Sequence, residues 1–241
     1  MTTAAHSAKP ADTRHLALED AATCEPFAPA SSGRVADARR VPGGRIGADR
    51  GHAPARGVRS RGMGSTELSY NALDRDDIWG RIVKPGARLP SVVLLEADLG
   101  PIHLDRLRQT GPIVLAFFPY ASSETADAAL ADYERRLAPA LAESDAHLVA
   151  VSPQIPARLV EVKRRHDLSY FVAADPRHQL IDAFNLGFHA PGADKLLGAG
   201  RSVLPFPAVV IADRTGVVRF ADVRPDGAAH PDPNRILTAL S

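Results

Sequence analysis

One stretch near the middle of this 241-residue chain constrains the fold more than any other. Residues 113–118 form an uninterrupted apolar run, which is typical of a buried strand, and Pro119 ends it. Ser122, Ser123 and Glu124 follow, and hydroxyl side chains with an acid in the first turn predict the start of a helix. A strand, a tight turn and a helix N-terminus together bring backbone N–H groups to one exposed point. We therefore expect the functional site at this point, although it holds no cysteine.

The sequence on both sides of this stretch alternates between strand and helix patterns. Residues 91–95 and 101–104 predict a hairpin that leads into a short helix before Gly111. Beyond the central strand we predict a helix over 124–143, a strand over 147–152, a helix over 157–166, a strand over 169–173, a helix beginning at Asp175-Pro176, an irregular loop over 187–200, a strand over 204–213, a turn at 213–216, a strand over 217–222 and a last helix from Asp232-Pro233. This order predicts an α/β fold, a mixed sheet with helices on both faces.

The N-terminal quarter has a different composition. Residues 1–62 are rich in Ala, Arg, Gly and Pro, and carry ten basic and six acidic side chains, which leaves 19 and 22 in residues 63–241. Such a segment cannot bury enough apolar surface to offset its ordering entropy, so we predict a disordered tail over 1–62 and one domain over 63–241. The tail is a weak basic tether for an anionic partner, or a spacer, or the result of a start codon assigned too early, with Met63 as the true start. We favour the last two.

Composition also argues against several classes of function. The mildly acidic domain has no basic stripe, which argues against nucleic-acid binding. No apolar run approaches the roughly 20 residues of a membrane span, and the N-terminus lacks a secretory pattern, so we expect a cytoplasmic protein. Cys24 is the single cysteine of the chain, and no Cys/His spacing fits a zinc site. We predict neither a metal nor a cofactor.

Residues 83–241 resemble the peroxiredoxin-like branch of the thioredoxin fold, the family described as alkyl hydroperoxide reductase / thiol-specific antioxidant. The segments that carry the resemblance are 111–118, 146–154, 175–186 and 204–216. The resemblance implies a thioredoxin-like α/β fold, and within it a cis peptide at Phe206–Pro207 that faces the helix start.

The same resemblance shows what this chain lacks. The branch usually carries an Arg-Gly-x-Trp-Cys-Pro-x-Cys motif after the central strand, and residues 119–126 occupy those places, so Ser123 and Ala126 stand where the two cysteines are expected. The more general Pro-x-x-x-Thr-x-x-Cys pattern falls on Ala116, Tyr120 and Ser123, and none of its residues is kept. Peroxide reduction needs a thiolate that passes through a sulfenic acid, which a serine hydroxyl cannot form.

The motif positions define the candidate site. They place Ser123, Tyr120 and Glu124 at the catalytic positions and Ser122, Thr125, Ala126, Pro207 and Arg201 around a pocket. For four of them we favour a simpler structural interpretation: Ser123 as a helix cap, Tyr120 and Glu124 as solvated residues of the helix start, and Arg201 as an ordinary loop arginine. His178 and His189 flank the third predicted helix without the spacing of a metal site.

Three functional hypotheses follow. The first is a non-catalytic redoxin that serves as a binding or regulatory module, with a small molecule, a protein or a second copy of the chain as its partner. The second is an enzyme with changed chemistry that uses Tyr120, Ser123 and Glu124 on a small molecule. The third is the thiol peroxidase activity of the family, rescued by Cys24 or by the thiol of a partner.

Overall fold

The computed structural model describes residues 75–227 and 229–241. The predicted tail, its boundary at 62/63 and Cys24 lie outside these residues. The helices are α1 (Arg75–Arg81), α2 (Leu104–Thr110), α3 (Glu124–Arg136), α4 (Ala138–Glu143), α5 (Pro156–Arg165), α6 (Gln179–Ala183), α7 (Ala193–Leu197) and α8 (Pro233–Leu240). The strands are β1 (Val93–Glu96), β2 (Gly100–His103), β3 (Ile113–Phe117), β4 (His147–Ser152), β5 (Phe171–Ala174), β6 (Gly187–His189), β7 (Val203–Pro205), β8 (Ala208–Ala212) and β9 (Val218–Val223).

A mixed sheet forms the centre of the described part of the chain. Its strands lie in the order β2-β1-β5-β4-β3-β8-β9. The central strands β3, β4 and β5 are parallel, while β1, β2, β8 and β9 pair antiparallel to their neighbours. The parallel centre arises because helices connect β3 to β4 and β4 to β5. The predicted mixed sheet is confirmed.

The side chains of β3 divide the interior into two cores, one on each face of the sheet. Ile113, Leu115 and Phe117 pack with buried residues of α1, α2, α6 and α7. Val114 and Ala116, with Phe118 beyond the strand, pack with α3, α4, α5 and α8. Because successive side chains of a strand point to opposite faces, an apolar run with no polar break can serve both cores. This is the physical reason for the uninterrupted run in the sequence.

The predicted helix over 124–143 is two helices. Its apolar face is confirmed, since Ala126, Leu130, Tyr133, Leu137 and Leu141 are all buried. However, α3 ends at Arg136, and α4 begins at Ala138 with a proline, Pro139, in its first turn. Proline has no N–H to continue the hydrogen bonds of the preceding helix, so the chain restarts there.

The predicted helix start at Asp175-Pro176 is wrong by several residues. Helix α6 begins only at Gln179, after His178 in the left-handed conformation at φ 58°. The acidic cap itself is present, because the Asp175 carboxylate accepts from the backbone N–H groups of Gln179 at 2.7 Å and Leu180 at 2.9 Å. Because the Asp175 side chain extends past the left-handed turn to these N–H groups, the helix can begin later than the Asp175-Pro176 pair suggests.

The predicted irregular loop over 187–200 is also wrong. Strand β6 pairs antiparallel with β7, and α7 lies between them. The rings of Phe188 on β6 and Phe206 stack with their centroids 5.0 Å apart. A strand of three residues is too short for its alternation to stand out in a sequence, and this one depends on a partner some 16 residues away.

The strand predicted over 204–213 is interrupted at the two residues between β7 and β8, and the cis peptide expected there is absent. Phe206–Pro207 is trans. The N–H of Phe206 donates to the Leu186 carbonyl at 2.9 Å, and the Pro207 carbonyl accepts from the Arg224 N–H at 2.8 Å. The trans peptide, which is the more common isomer, therefore leaves both groups hydrogen-bonded.

The remaining elements follow their predictions closely. The β1–β2 hairpin, α2 and β4 lie where the sequence pattern places them, and α5 begins one residue earlier, at Pro156. Asp232 caps α8 by accepting from the Asn234 N–H at 2.9 Å.

Candidate functional site

The candidate site lies at the edge of the sheet where the parallel strands end. After β3 the chain runs through residues 118–123 into α3, and the chain after β4 leaves at the same edge. Pro207 lies here as well, because the next residue, Ala208, pairs with Phe117 at the end of β3. In α/β sheets the carboxyl edge of parallel strands is the usual place for ligands and reactive groups.

Buried polar side chains at the end of β4 and just after it hold the loop before α3. The Gln154 side chain accepts from the Ala121 N–H at 2.7 Å and donates to the Leu196 carbonyl on α7 at 3.1 Å. The Ser152 hydroxyl donates to the Pro119 carbonyl at 3.4 Å. Gln154 and Ser152 are both almost fully buried. They determine the path of the loop and link it to α7.

Sequence reasoning missed both residues. The available signal was a polar pair, Ser152 and Gln154, at the end of an otherwise apolar strand. Buried polar side chains are normally hydrogen-bonded, so such residues indicate a partner. The partners themselves lie on separate segments that only the folded chain brings together.

Ser123 lies at the N-cap position of α3, with extended backbone angles of φ −75° and ψ 127°. The predicted position is confirmed, but the predicted side-chain cap is wrong, because its hydroxyl makes no hydrogen bond to the helix backbone. The hydroxyl lies 3.0 Å from the Thr125 hydroxyl, and the Ser123 N–H donates to the Tyr120 carbonyl at 3.2 Å. The Ser123 side chain therefore does not cap the backbone N–H groups in the first turn of α3.

The other candidate residues at the helix start have different environments. Ser122, Glu124 and Thr125 are exposed, whereas Ala126 is fully buried against the core that α3 covers. Tyr120 is half-buried and packs against the opposite core. Helical periodicity explains Ala126, which lies on the inward face with Leu130 and Tyr133. Ala126 therefore contributes to packing beneath the helix start.

Arg201 interacts with a different part of the molecule from the start of α3. Its guanidinium donates to the Asp182 carboxylate at 3.0 Å and to the Arg177 carbonyl at 3.2 Å. Within residues 75–227 and 229–241 it makes no hydrogen bond or ion pair with Tyr120, Ser123 or Glu124. The arginine that the sequence places beside the site is thus held on α6.

His178 is a buried histidine that the sequence did not distinguish from its neighbours. The residue is fully buried, and neither ring nitrogen has a hydrogen-bond partner in the described part of the chain. Burial lowers the pKa of His178, and the nearby charge of Arg201 lowers it further. His189 is exposed on β6. The described residues contain no group of three or more His, Cys, Asp or Glu side chains placed to hold a metal.

The model of the AhpC/TSA family matches residues 85–221, which is more than half of the chain. The chain belongs to the AhpC/TSA family. No curated protein matches it.

Solved structures support the same fold for this family member. Peroxidoxin BcpB from Mycobacterium tuberculosis is 19% identical, with a TM-score of 0.54 over 66% of this chain and 96% of that one. A peroxiredoxin-like protein from Aquifex aeolicus is 17% identical, with a TM-score of 0.54 over 66% and 86%. A PrxQ variant from Xylella fastidiosa is 13% identical, with a TM-score of 0.55 over 66% and 95%. The chain therefore has a peroxiredoxin-like thioredoxin fold.

The described part of this AhpC/TSA family member contains no cysteine. The single cysteine of the chain, Cys24, lies outside the described residues, so the described fold contains no thiol. In the same part of the chain, no helix is both long enough and apolar enough to span a membrane.

Proposed function

We propose that this family member is a binding or regulatory module without thiol peroxidase activity. The supporting observation is the residue at the start of α3: Ser123 holds the N-cap position that the family resemblance assigns to the reactive cysteine. A helix N-terminus lowers the pKa of a thiol and so makes a thiolate available, but it cannot ionise an alcohol near neutral pH.

The surroundings of Ser123 also argue against an activated hydroxyl. Its hydrogen-bonded neighbour is the Thr125 hydroxyl, which is not a base. No histidine, lysine or arginine of the described chain donates to or accepts from it. Glu124 adds a negative charge beside it, which opposes the formation of an anion. An activated nucleophile needs an adjacent base, so we rank an enzyme based on Tyr120, Ser123 and Glu124 second.

The proposal includes a partner. A small molecule, another protein and a second copy of the chain are all compatible with a binding role, and a cytoplasmic location stays a prediction from the sequence. Light scattering on the purified chain at several concentrations distinguishes a self-associating protein from a monomer.

Hydroperoxide consumption tests the proposal directly. The full chain and its Cys24→Ser variant are each incubated with a hydroperoxide and a thiol reductant. We expect neither to exceed the rate of the reductant alone, because no thiolate lies at the helix start. Turnover by the full chain that disappears in Cys24→Ser would identify Cys24 as the working thiol and would refute the proposal. Turnover by both proteins would refute it as well.

A Ser123→Cys variant tests whether the helix start still has the family's electrostatic environment. We expect the pKa of the new thiol to lie below the usual value of about 8.5, because the helix dipole stabilises the thiolate. The pH dependence of its alkylation by iodoacetamide measures this pKa. Ser122→Cys, which is exposed and precedes the N-cap, is the matched control. Equal pKa values in the two variants would contradict the reasoning.

A further inference from the structure

The turn between β8 and β9 lies at the edge of the sheet opposite the candidate site. Strand β8 runs antiparallel to β3, and its last residue, Ala212, pairs with Ile113, where β3 begins. The candidate site lies where β3 ends, so the length of that strand separates it from the turn over 213–216. The family motif therefore does not account for this turn or for the charges around it.

The side chain of Asp213 fixes the backbone of the turn. Its carboxylate accepts from the backbone N–H groups of Thr215 at 2.8 Å and Val217 at 3.0 Å. An aspartate that bonds to N–H groups of its own turn holds that turn in one conformation. Arg214 follows Asp213 directly and is exposed, so its side chain extends from a fixed backbone.

Two other segments bring arginines against this turn. Arg88 forms an antiparallel β-bridge with Val217. The side chain of Arg108 on α2 donates to the Arg214 carbonyl at 3.2 Å. With the arginine on β9 just beyond the turn, they form a surface that we call the basic edge, which has four members: Arg88, Arg108, Arg214 and Arg219.

Carboxylates neutralise only part of the basic edge. Arg108 pairs with Asp105 at 3.0 Å, and Arg219 pairs with Asp213 at 2.6 Å. Asp145 precedes β4 at the same edge of the sheet, but within residues 75–227 and 229–241 it forms no ion pair with the four arginines. Two members of the basic edge are therefore left without a counter-charge.

The two unpaired members are Arg88 and Arg214. Both are exposed, and in the described part of the chain neither guanidinium forms an ion pair or a hydrogen bond. Each guanidinium therefore keeps its N–H donors available in the planar fork that matches a carboxylate. Cations held near one another without partners also raise the local positive potential, which attracts anionic groups.

We propose that the basic edge binds an acidic segment of a partner protein. Carboxylates of that segment accept charge-assisted hydrogen bonds from Arg88 and Arg214, while the two ion pairs already present stay in place. Charge complementarity supports this choice, because the four arginines are paired with only two carboxylates. The inference deepens the proposed binding role by naming the class of partner, and it rests on that role.

Other anionic surfaces match the basic edge less well. The four arginines surround one turn, whereas a nucleic-acid backbone is bound by an extended stripe of basic residues. A membrane surface is bound by basic residues together with an apolar face. Among the described residues, the large exposed apolar side chains lie on α1, β1 and α7, outside the basic edge. An acidic protein segment requires neither a stripe nor an apolar face.

Fluorescence anisotropy with a labelled oligoglutamate peptide tests the proposal on the full chain at low ionic strength. We expect saturable binding to the parent protein and a Kd that rises about fivefold in Arg88→Gln/Arg214→Gln, as for the loss of two exposed ion pairs. Added salt should reduce this difference, because it screens exposed charges. The urea midpoint of the variant should match that of the parent, since neither side chain has a partner in the described fold.

Arg158→Gln/Arg177→Gln is the matched control, because it removes the same charge from the opposite edge of the sheet. Arg158 lies near the start of α5, which follows β4, and Arg177 follows β5. Both are exposed, and neither forms an ion pair within the described residues. We expect the Kd for oligoglutamate to stay within about twofold of the parent value. Residues 1–74 are the same in every protein compared, so their charges cannot separate the two double variants.

Several outcomes would overturn the inference. Two of them are the absence of saturable oligoglutamate binding and an equal loss of affinity in the two double variants. A larger loss for a labelled oligodeoxythymidylate of equal charge than for oligoglutamate in Arg88→Gln/Arg214→Gln would assign the basic edge to nucleic acid. Flotation with phosphatidylserine vesicles that disappears in the same variant would assign it to a membrane surface.

These outcomes are distinct from failure of the proposed function. None of them would affect the peroxidase assay. Conversely, peroxidase turnover by the full chain would refute the proposed function while leaving saturable oligoglutamate binding that depends on Arg88 and Arg214 in place.

Discussion

Gln154→Met is the most informative change to the framework of the candidate site. Gln154 joins the loop before α3 to α7 through two hydrogen bonds, one from the Ala121 N–H and one to the Leu196 carbonyl. Methionine has nearly the same length and flexibility but can make neither bond. The variant therefore removes the link while changing the packing volume little.

The expected destabilisation follows from what each partner group loses. The Ala121 N–H is buried, and leaving such a donor unpaired costs about 1–3 kcal/mol. The Leu196 carbonyl is only partly buried, so water can replace much of its bond, at a cost of about 0.5–1 kcal/mol. Burial of the methionine side chain offsets about 1 kcal/mol. We expect the free energy of unfolding to fall by about 2 kcal/mol, and the Tm by roughly 4–8 °C for a domain of this size.

Urea and thermal unfolding measure the free energy, and amide hydrogen exchange at Ala121 reports on the loop itself. We expect exchange at Ala121 to accelerate more than exchange in the middle of β3, because only the loop loses its anchor. Gln109→Met on α2 is the control, since Gln109 is exposed, and its unfolding free energy should change by less than about 0.5 kcal/mol. A Gln154→Met variant as stable as this control would refute the anchoring role.

Two further predictions concern pH and close packing. Burial lowers the pKa of His230 to about 4 from 6.5, so the unfolded chain takes up the proton first and the free energy of unfolding falls as the pH drops through this interval. Between pH 7 and pH 4.5, the free energy of unfolding of His230→Phe should therefore fall by roughly 2 kcal/mol less than that of the parent, as measured by urea titration. An equal fall in the two proteins would contradict the lowered pKa. Gly111→Ala should destabilise by about 3 kcal/mol or more in thermal unfolding, because its Cβ would overlap the Asp145 carbonyl oxygen. Gly80→Ala, in open space on α1, is the matched substitution and should stabilise by up to about 1 kcal/mol; similar effects of the two alanines would show that the close approach is not restrictive.

Local patterns predicted the elements whose signals lie within a few residues. The apolar run of β3, the inward face of α3 and the start of α8 at Asp232-Pro233 are of this kind, and all are present. One prediction was wrong because a distant contact decides the conformation, and another because a local turn delays the start of a helix. Phe188 lies in a strand because β6 pairs with β7. His178 lies in a left-handed turn between Asp175 and α6, and the Asp175 carboxylate caps the helix across that turn.

The candidate site divides in the same way. The sequence alone determined that position 123 carries a hydroxyl and no thiol, because the identity of a side chain does not depend on folding. It also determined that this residue begins a helix directly after a buried strand, since both signals are local. The tertiary structure alone decided which groups meet there. Gln154 reaches Ala121 across 33 residues of chain, and the Arg201 guanidinium lies with Asp182, because hydrogen bonds and ion pairs between distant segments exist only once the chain has folded.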